Sequence, residues 1–216
     1  MTVAAIVVAA GSGARLRAGT PKAFVVVAGQ TVLEHAVRPF VSMPLVVVAP
    51  AALVESAAAL VPRARIVAGG QTRQESVSRG LAAIDNTVDI VLIHDAARAF
   101  TPSDVVQRVV AAVVAGADGA VPALPVSDTI KRVAGGVVVE TPDRAGLVAV
   151  QTPQGFRRSV LVAAHRSARV DQATDDASLV EAAGGRVVIV EGAPEAFKIT
   201  TPEDLARAEA MLSARP

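Results

Sequence analysis

Residues 3–22 read VAAIVVAAGSGARLRAGTPK. The apolar run Val3–Ala10 is rich in β-branched residues and is cut off by glycines at positions 11 and 13. It is far shorter than the roughly 18 residues of a membrane span. Met1-Thr2 precede it without a basic segment, which argues against a signal peptide. A continuous apolar stretch of this length, ending in a glycine turn, predicts a strand over Val3–Ala9 buried on both faces.

Working outward, the same signal recurs at Leu45–Ala49, Arg65–Val67, Ile90–Ile93, Gly119–Ala123 and Arg186–Val190. Between these runs lie helical patterns at Val32–Phe40, Ala51–Leu60, Gln74–Ile84, Pro102–Ala115, Ser159–Ser167, Asp175–Ala183 and Pro202–Ser213. Thr101-Pro102 and Thr201-Pro202 mark helix starts, each with an acidic residue close behind. Such alternation predicts an α/β, Rossmann-like fold: a mostly parallel sheet with helices on both faces. One segment breaks it. Thr129–Arg132, the turn Ala134-Gly135-Gly136 and Val137–Glu140 read as a β-hairpin, apolar on both faces because Val137, Val138 and Val139 are consecutive. It is either a surface excursion or, the reading favoured here, a protruding dimerisation arm that needs a partner. The expected organisation is a single domain over 1–216 with an arm inserted at about 126–150.

Composition removes several function classes. The chain has no Cys, so disulfides, thiolate metal sites and cysteine nucleophiles are excluded, and a reducing cytoplasmic setting fits. Net charge is +1, which gives no field to draw in nucleic acid or a membrane surface. Trp and Tyr are absent, which leaves few stacking platforms for single strands. Only three of the 21 basic residues are lysine: Lys22, Lys131 and Lys198. Lysine is a compact point charge where arginine is a planar fork, so sites that keep lysine are candidates for tight phosphate contact.

The loop after the first strand carries the chemistry. A dinucleotide fingerprint would need Gly at position 16, where Leu16 stands, and a Walker loop would need Ser or Thr after Lys22, where Ala23 stands. What remains is G-x-G-x-R with Pro21-Lys22 beyond. Glycine amides approach phosphate oxygens closely, and Arg15 and Lys22 supply charge where a transferring phosphoryl group needs it. Gly69 and Gly70, followed by Arg73 and Ser76, form a second glycine site between a short strand and a helix, again at the C-terminal edge of the sheet where ligands gather. His94-Asp95-Ala96-Ala97-Arg98 ends an apolar strand. Asp95 can bind Mg²⁺ that also touches phosphates, and Arg98 can hold a phosphate or order its loop. His94 can be a base, although phosphate attacking phosphate needs none; His35 and His165 fall in helical patterns and read as structural.

These strings resemble the sugar-phosphate nucleotidyltransferases. More narrowly they resemble the 2-C-methyl-D-erythritol 4-phosphate cytidylyltransferase family of the non-mevalonate isoprenoid pathway. A-A-G-x-G-x-R…P-K, G-G-x-x-R-x-x-S-V, H-D-A-A-R, P-V-x-D-T-x-K, D-R-x-x-L, T-P-Q, T-D-D-A-S and K-I-T-x-P-E-D all stand in this chain. Ala99 replaces the proline usual after H-D-A-A-R. The resemblance implies a cytidylyltransferase that joins CTP to methylerythritol phosphate and releases pyrophosphate, with Mg²⁺ carried mainly by the CTP phosphates. It implies a homodimer built through the arm. It assigns Ala9, Ala10, Gly11, Ser12, Gly13, Arg15, Lys22, Gly69, Gly70, Arg73, Ser76, Asp95 and Ala96 to the nucleotide. It assigns Asp95, Arg98, Thr129, Arg144, Thr152, Thr174 and Lys198 to the polyol phosphate, with Thr129 and Arg144 coming from the neighbouring subunit. Arg15, Lys22, Arg144 and Lys198 are the expected catalytic groups, and Asp95 the expected metal contact. Alternatives are a ribitol-5-phosphate cytidylyltransferase, a UTP- or GTP-dependent sugar 1-phosphate enzyme, a nucleotide-binding regulatory module without turnover, and a hydride-transfer enzyme.

Overall fold

The computed structural model describes residues 1–11, 19–167 and 174–213. In chain order the elements are β1 (Val3–Val8), β2 (Val26–Val27), β3 (Gln30–Thr31), α1 (Val32–Val37), β4 (Leu45–Ala49), α2 (Val54–Leu60), β5 (Arg65–Ala68), α3 (Arg73–Ala83), β6 (Ile90–Asp95) and α4 (Ser103–Val114). They continue with β7 (Gly119–Pro125), β8 (Arg132–Ala134), β9 (Val137–Glu140), β10 (Val148–Val150), β11 (Gln154–Arg157), α5 (Arg158–Ser167), α6 (Asp176–Ala182), β12 (Val187–Glu191) and α7 (Pro202–Ser213).

β1 lies at the centre of the main sheet. It pairs in parallel with β4 on one side, and β5 extends that side. It pairs in parallel with β6 on the other, where Val8 stands opposite Asp95. The chain thus builds outward from β1 in one direction and then returns to its far side. That reversal leaves a crevice beyond the C-terminal ends of β1 and β6, where ligands of open α/β sheets bind.

Alternation along β1 sorts the helices. Ala5 and Val7 pack with Leu33 of α1, Ala57 of α2 and Val109 of α4. Ala4 and Ile6 pack with Val77 and Leu81 of α3, Leu161 of α5 and Val180 of α6. Both faces of the sheet are therefore covered, which is why its strands read as unbroken apolar runs. α7 belongs to a third cluster, where Ala208 and Leu205 pack with Phe100, Val27 and Ile199.

The sheet departs from the sequence reading in two places. β10 and β11 were not expected. They run antiparallel along one edge of β7, and β11 also bridges to β6. Each is three or four residues long, too short for a period to show, and β11 carries Gly155, whose missing side chain makes room for Val109 of α4. The arm hairpin also differs. Its first strand is Arg132–Ala134 rather than Thr129–Arg132. The turn is the two-residue Gly135-Gly136, both with positive φ (56° and 79°), so Ala134 pairs directly with Val137. A two-glycine turn of this kind matches strand twist and fixes the register. Val133, Val137, Val138 and Val139 stand more than half exposed along the arm.

Gly80 on α3 shows how tightly the layers fit. A Cβ there would lie 2.7 Å from Ile6 Cγ2 and 3.1 Å from Val48 Cγ2, both in buried side chains. Alanine gains about 1 kcal/mol of helix propensity, whereas overpacking costs about 1–3 kcal/mol. Gly80→Ala is expected to lower the thermal midpoint by a few degrees; an unchanged or higher midpoint would show that α3 lifts off the sheet freely.

Candidate active site

The crevice holds a cavity of about 370 Å³. Its walls come from Ala9, Ala10 and Gly11 after β1, from Lys22, from Gly70 to Arg73 and Ser76 at the start of α3, from Asp95 to Ala97 after β6, and from Lys198. Three sequence-distant loops and the segment before α7 thus meet at one sheet edge. Ser12, Gly13 and Arg15 lie outside the described residues.

The two glycine sites are packed against each other. A Cβ on Gly69 would sit 2.4 Å from the Cβ of Ala10, and one on Gly70 would run into the Glu75 side chain. Only glycine lets the loop after β5 approach the loop after β1 this closely. Ser76, 2% exposed, is largely committed to this loop: its hydroxyl accepts from Gly70 N (3.0 Å) and donates to Thr72 O (2.9 Å). Thr72 in turn caps α3, accepting from Glu75 N at 3.1 Å. Thr72 and Gln71 line the cavity, and the sequence reading did not single them out. The Thr-x-x-Glu spacing of the cap was the available signal.

Asp95 is the electrostatic centre. Lys198 Nζ donates to its Oδ2 at 2.6 Å, and the Nε and Nη2 of Arg73 reach its Oδ1 at 3.4 Å. Burial pushes the Asp95 carboxyl pKa upward, but the charges of Arg73 and Lys198 outweigh it and hold the group well below the usual carboxylate range. Asp95 is the one carboxylate among the described residues lining the cavity. No cluster of three or more His, Asp or Glu that could hold a metal occurs among the described residues. Both Asp95 oxygens face cationic side chains, so a Mg²⁺ beside it would draw most of its ligands from phosphate oxygens and water.

The loop behind Asp95 is fixed by buried hydrogen bonds. Thr152 Oγ1 accepts from Asp95 N (3.1 Å) and donates to His94 Nδ1 (3.0 Å), and His94 Nε2 donates to Arg98 O (3.2 Å). Thr152 (6% exposed) therefore orders Asp95 from behind the cavity. Arg98 orders loops as well: its guanidinium donates to Ala196 O (2.7 Å) and Val150 O (3.1 Å). Together with Ile199 N donating to Ala97 O (2.8 Å), this holds the segment that presents Lys198. His35, with Nε2 donating to Val27 O, is structural as expected.

The expected acceptor groups do not all converge within one chain. Lys198 is in the cavity. Arg144 is on the exposed arm, where it donates to Ser127 O; Thr129 is exposed nearby, and Thr174 is exposed just before α6.

A family model described as 2-C-methyl-D-erythritol 4-phosphate cytidylyltransferase matches residues 3–214. The chain belongs to that family. A 2-C-methyl-D-erythritol 4-phosphate cytidylyltransferase of Saccharopolyspora erythraea is 50% identical over 225 residues, covering 99% of this chain and all of the relative. One of Frankia casuarinae is 49% identical over 217 residues, covering 98% of this chain and 81% of the relative. The crystal structure of the Thermus thermophilus 2-C-methyl-D-erythritol 4-phosphate cytidylyltransferase superposes with a TM-score of 0.85 at 40% identity, covering 99% of this chain and all of that one. No helix among the described residues is long and apolar enough to cross a membrane.

In this member of the cytidylyltransferase family His94 is fully buried and its pKa is pushed down to about 4, chiefly by burial. The neutral ring is thus built into the loop. Because the folded value lies below the ordinary 6.5, the contribution to stability is complete above pH 6.5 and is lost as pH falls toward 4. Over that window the loss is about 3 kcal/mol, and His35, also lowered by burial, adds in the same direction. The thermal midpoint should fall between pH 6.5 and 4, and His94→Gln should flatten that slope. An identical slope in the variant would show that His94 does not carry it.

Proposed function

We propose that the chain joins CTP and 2-C-methyl-D-erythritol 4-phosphate to give 4-diphosphocytidyl-2-C-methyl-D-erythritol and pyrophosphate. The observation that carries this reading is the meeting of Lys22, Arg73, Asp95 and Lys198 in one cavity, beside the Gly11 and Gly70 backbone. Cations and amides around one cleft are what phosphoryl transfer needs, because its catalysis is positioning plus electrostatic stabilisation.

An oxygen of the acceptor phosphate attacks the α-phosphorus of CTP in line. The new P–O bond forms as the bond to the β-phosphate breaks, and pyrophosphate leaves with the electron pair. Lys22, with Arg15 by its place in the glycine loop, offsets charge on the equatorial oxygens and the leaving group. Gly69, Gly70 and Ser76 shape the pyrimidine and ribose pocket, with Ala9, Ala10, Gly11 and Ala96 around the phosphates. Asp95 would hold Mg²⁺ beside the CTP phosphates, where the ion would neutralise charge on the leaving pyrophosphate. Lys198 is the acceptor-phosphate cation in this reading, which its position in the cavity, paired with Asp95, supports. Arg98 and Thr152 act by ordering the Asp95 and Lys198 segments.

Arg144 and Thr129 complete the acceptor site from a second subunit in this reading. Support comes from the arm. Ile130, Val133, Val137, Val138 and Val139 are exposed on it, with Val148, Val150 and Ile189 exposed on the neighbouring strands. Apolar side chains exposed along a two-stranded hairpin call for burial against a partner, and a homodimer formed through residues about 126–150 supplies it. The whole chain is then one nucleotidyltransferase domain with that inserted arm. Its lack of Cys suits a cytoplasmic enzyme.

Pyrophosphate release, measured with Mg²⁺ and CTP, should require methylerythritol phosphate and be absent with ribitol 5-phosphate or no acceptor. Turnover with ribitol phosphate alone would keep the nucleotide chemistry and overturn the acceptor assignment. CTP binding without turnover on either acceptor would leave a regulatory module. Lys22→Ala should lose most of kcat, on the order of 100-fold or more; near-normal turnover would remove Lys22 from the catalytic role.

A further inference from the structure

Beyond the cavity wall, the far side of Arg73 meets a buried carboxylate. Arg73 Nη1 donates to Asp176 Oδ2 at 2.7 Å, and His165 Nε2 donates to the other oxygen at 3.0 Å. The Asp176 side chain is 1% exposed and that of His165 5%. Ser78 Oγ lies 3.1 Å from His165 Nδ1 and, as a hydroxyl, can donate to or accept from it. Three helix ends converge here: Arg73 opens α3, Asp176 opens α6, and His165 is in the last turn of α5.

The two carboxylates on Arg73 are not equivalent. The Asp176 contact is short and buried, whereas both Asp95 contacts sit at 3.4 Å on the cavity side. Burial works against the guanidinium charge, but Asp176 and Asp95 together raise its pKa and keep it charged. A buried carboxylate is costly unless paired and hydrogen-bonded, and Asp176 has both partners. Its position is also set from the sheet. Gln154, 1% exposed on β11, donates to Asp175 Oδ2 (2.6 Å) and accepts from Ala177 N (3.2 Å), which fixes the start of α6. The guanidinium is thus gripped at one nitrogen from behind, and its Nε–Nη2 edge is left facing the cavity on loose contacts that an anionic ligand can exchange.

We infer that Asp176, backed by His165, is a positioning residue of the nucleotide site that acts through Arg73, holding its guanidinium edge toward the CTP phosphates. The inference rests on the reading of Arg73 as a nucleotide contact. It uses no residue of the arm, and although Arg73 also touches Asp95 beside Lys198, its main signature falls on CTP.

The test is a double-mutant cycle on the full-length enzyme with Arg73→Met, Asp176→Asn and the double variant. Steady-state constants for both substrates are measured, and folding is checked by circular dichroism and thermal unfolding. Each single variant should raise the KM for CTP about tenfold or more, move the KM for the acceptor by less than that, and fail to multiply in the double. If Arg73→Met leaves the CTP KM unchanged, the reading of Arg73 itself falls. If Arg73→Met raises it and Asp176→Asn does not, or the two effects multiply, Asp176 does not act through Arg73. Should Asp176→Asn fail to fold, His165→Leu removes the backing hydrogen bond while leaving the Arg73–Asp176 pair. It should raise the CTP KM about threefold with the acceptor KM unchanged, and an unchanged CTP KM would overturn the proposal.

Discussion

A carboxylate at the end of a buried strand is expensive to keep ionised, and much of this molecule is arranged around that cost at Asp95. Burial opposes its charge, yet Arg73 and Lys198 keep it ionised. The three residues are far apart in the chain and arrive on α3, β6 and the segment before α7. Each ion pair therefore also joins two parts of the fold. Thr152, His94 and Arg98 serve the same end from behind by fixing the loop backbone, with no reactive group of their own offered to the cavity.

The sheet makes this meeting possible. Because β4 and β6 flank β1, the loops that leave β1 and β6 open onto the same crevice. The loop after β5 is brought in by the absence of side chains at Gly69 and Gly70. Backbone, small residues and charged side chains then line one cavity together. Amides and cations both favour oxygen-rich anions, and a low-dielectric floor of β-strand side chains strengthens each interaction.

The arm obeys a different rule. Its turn is fixed locally by two glycines, but its surface is left apolar and exposed. Arg144 sits on that segment, away from Lys198.

Much of this was legible in the sequence. Period and composition determined the buried strands, the helices between them and the glycine turns, because those signals are local and repeat over many residues. The strings around Lys22, Gly70, Asp95 and Lys198 identified the wall of the cavity, since lone lysines, glycines and a strand-end acid are sparse against an Ala- and Val-rich background. Tertiary structure alone decided the rest. It gave the side chains of Thr152 and Arg98 their partners in the neighbouring backbone, Asp95 N for one and Val150 O and Ala196 O for the other, because a side chain's partner is set by the backbone that packs against it. It added β10 and β11, which are too short to declare a period and exist only because β6 and β7 lie ready to pair with them. It also joined Asp176 and His165 to Arg73 across some 100 residues of chain. No spacing rule reports such a contact, because it arises where three helix ends meet over one face of the sheet.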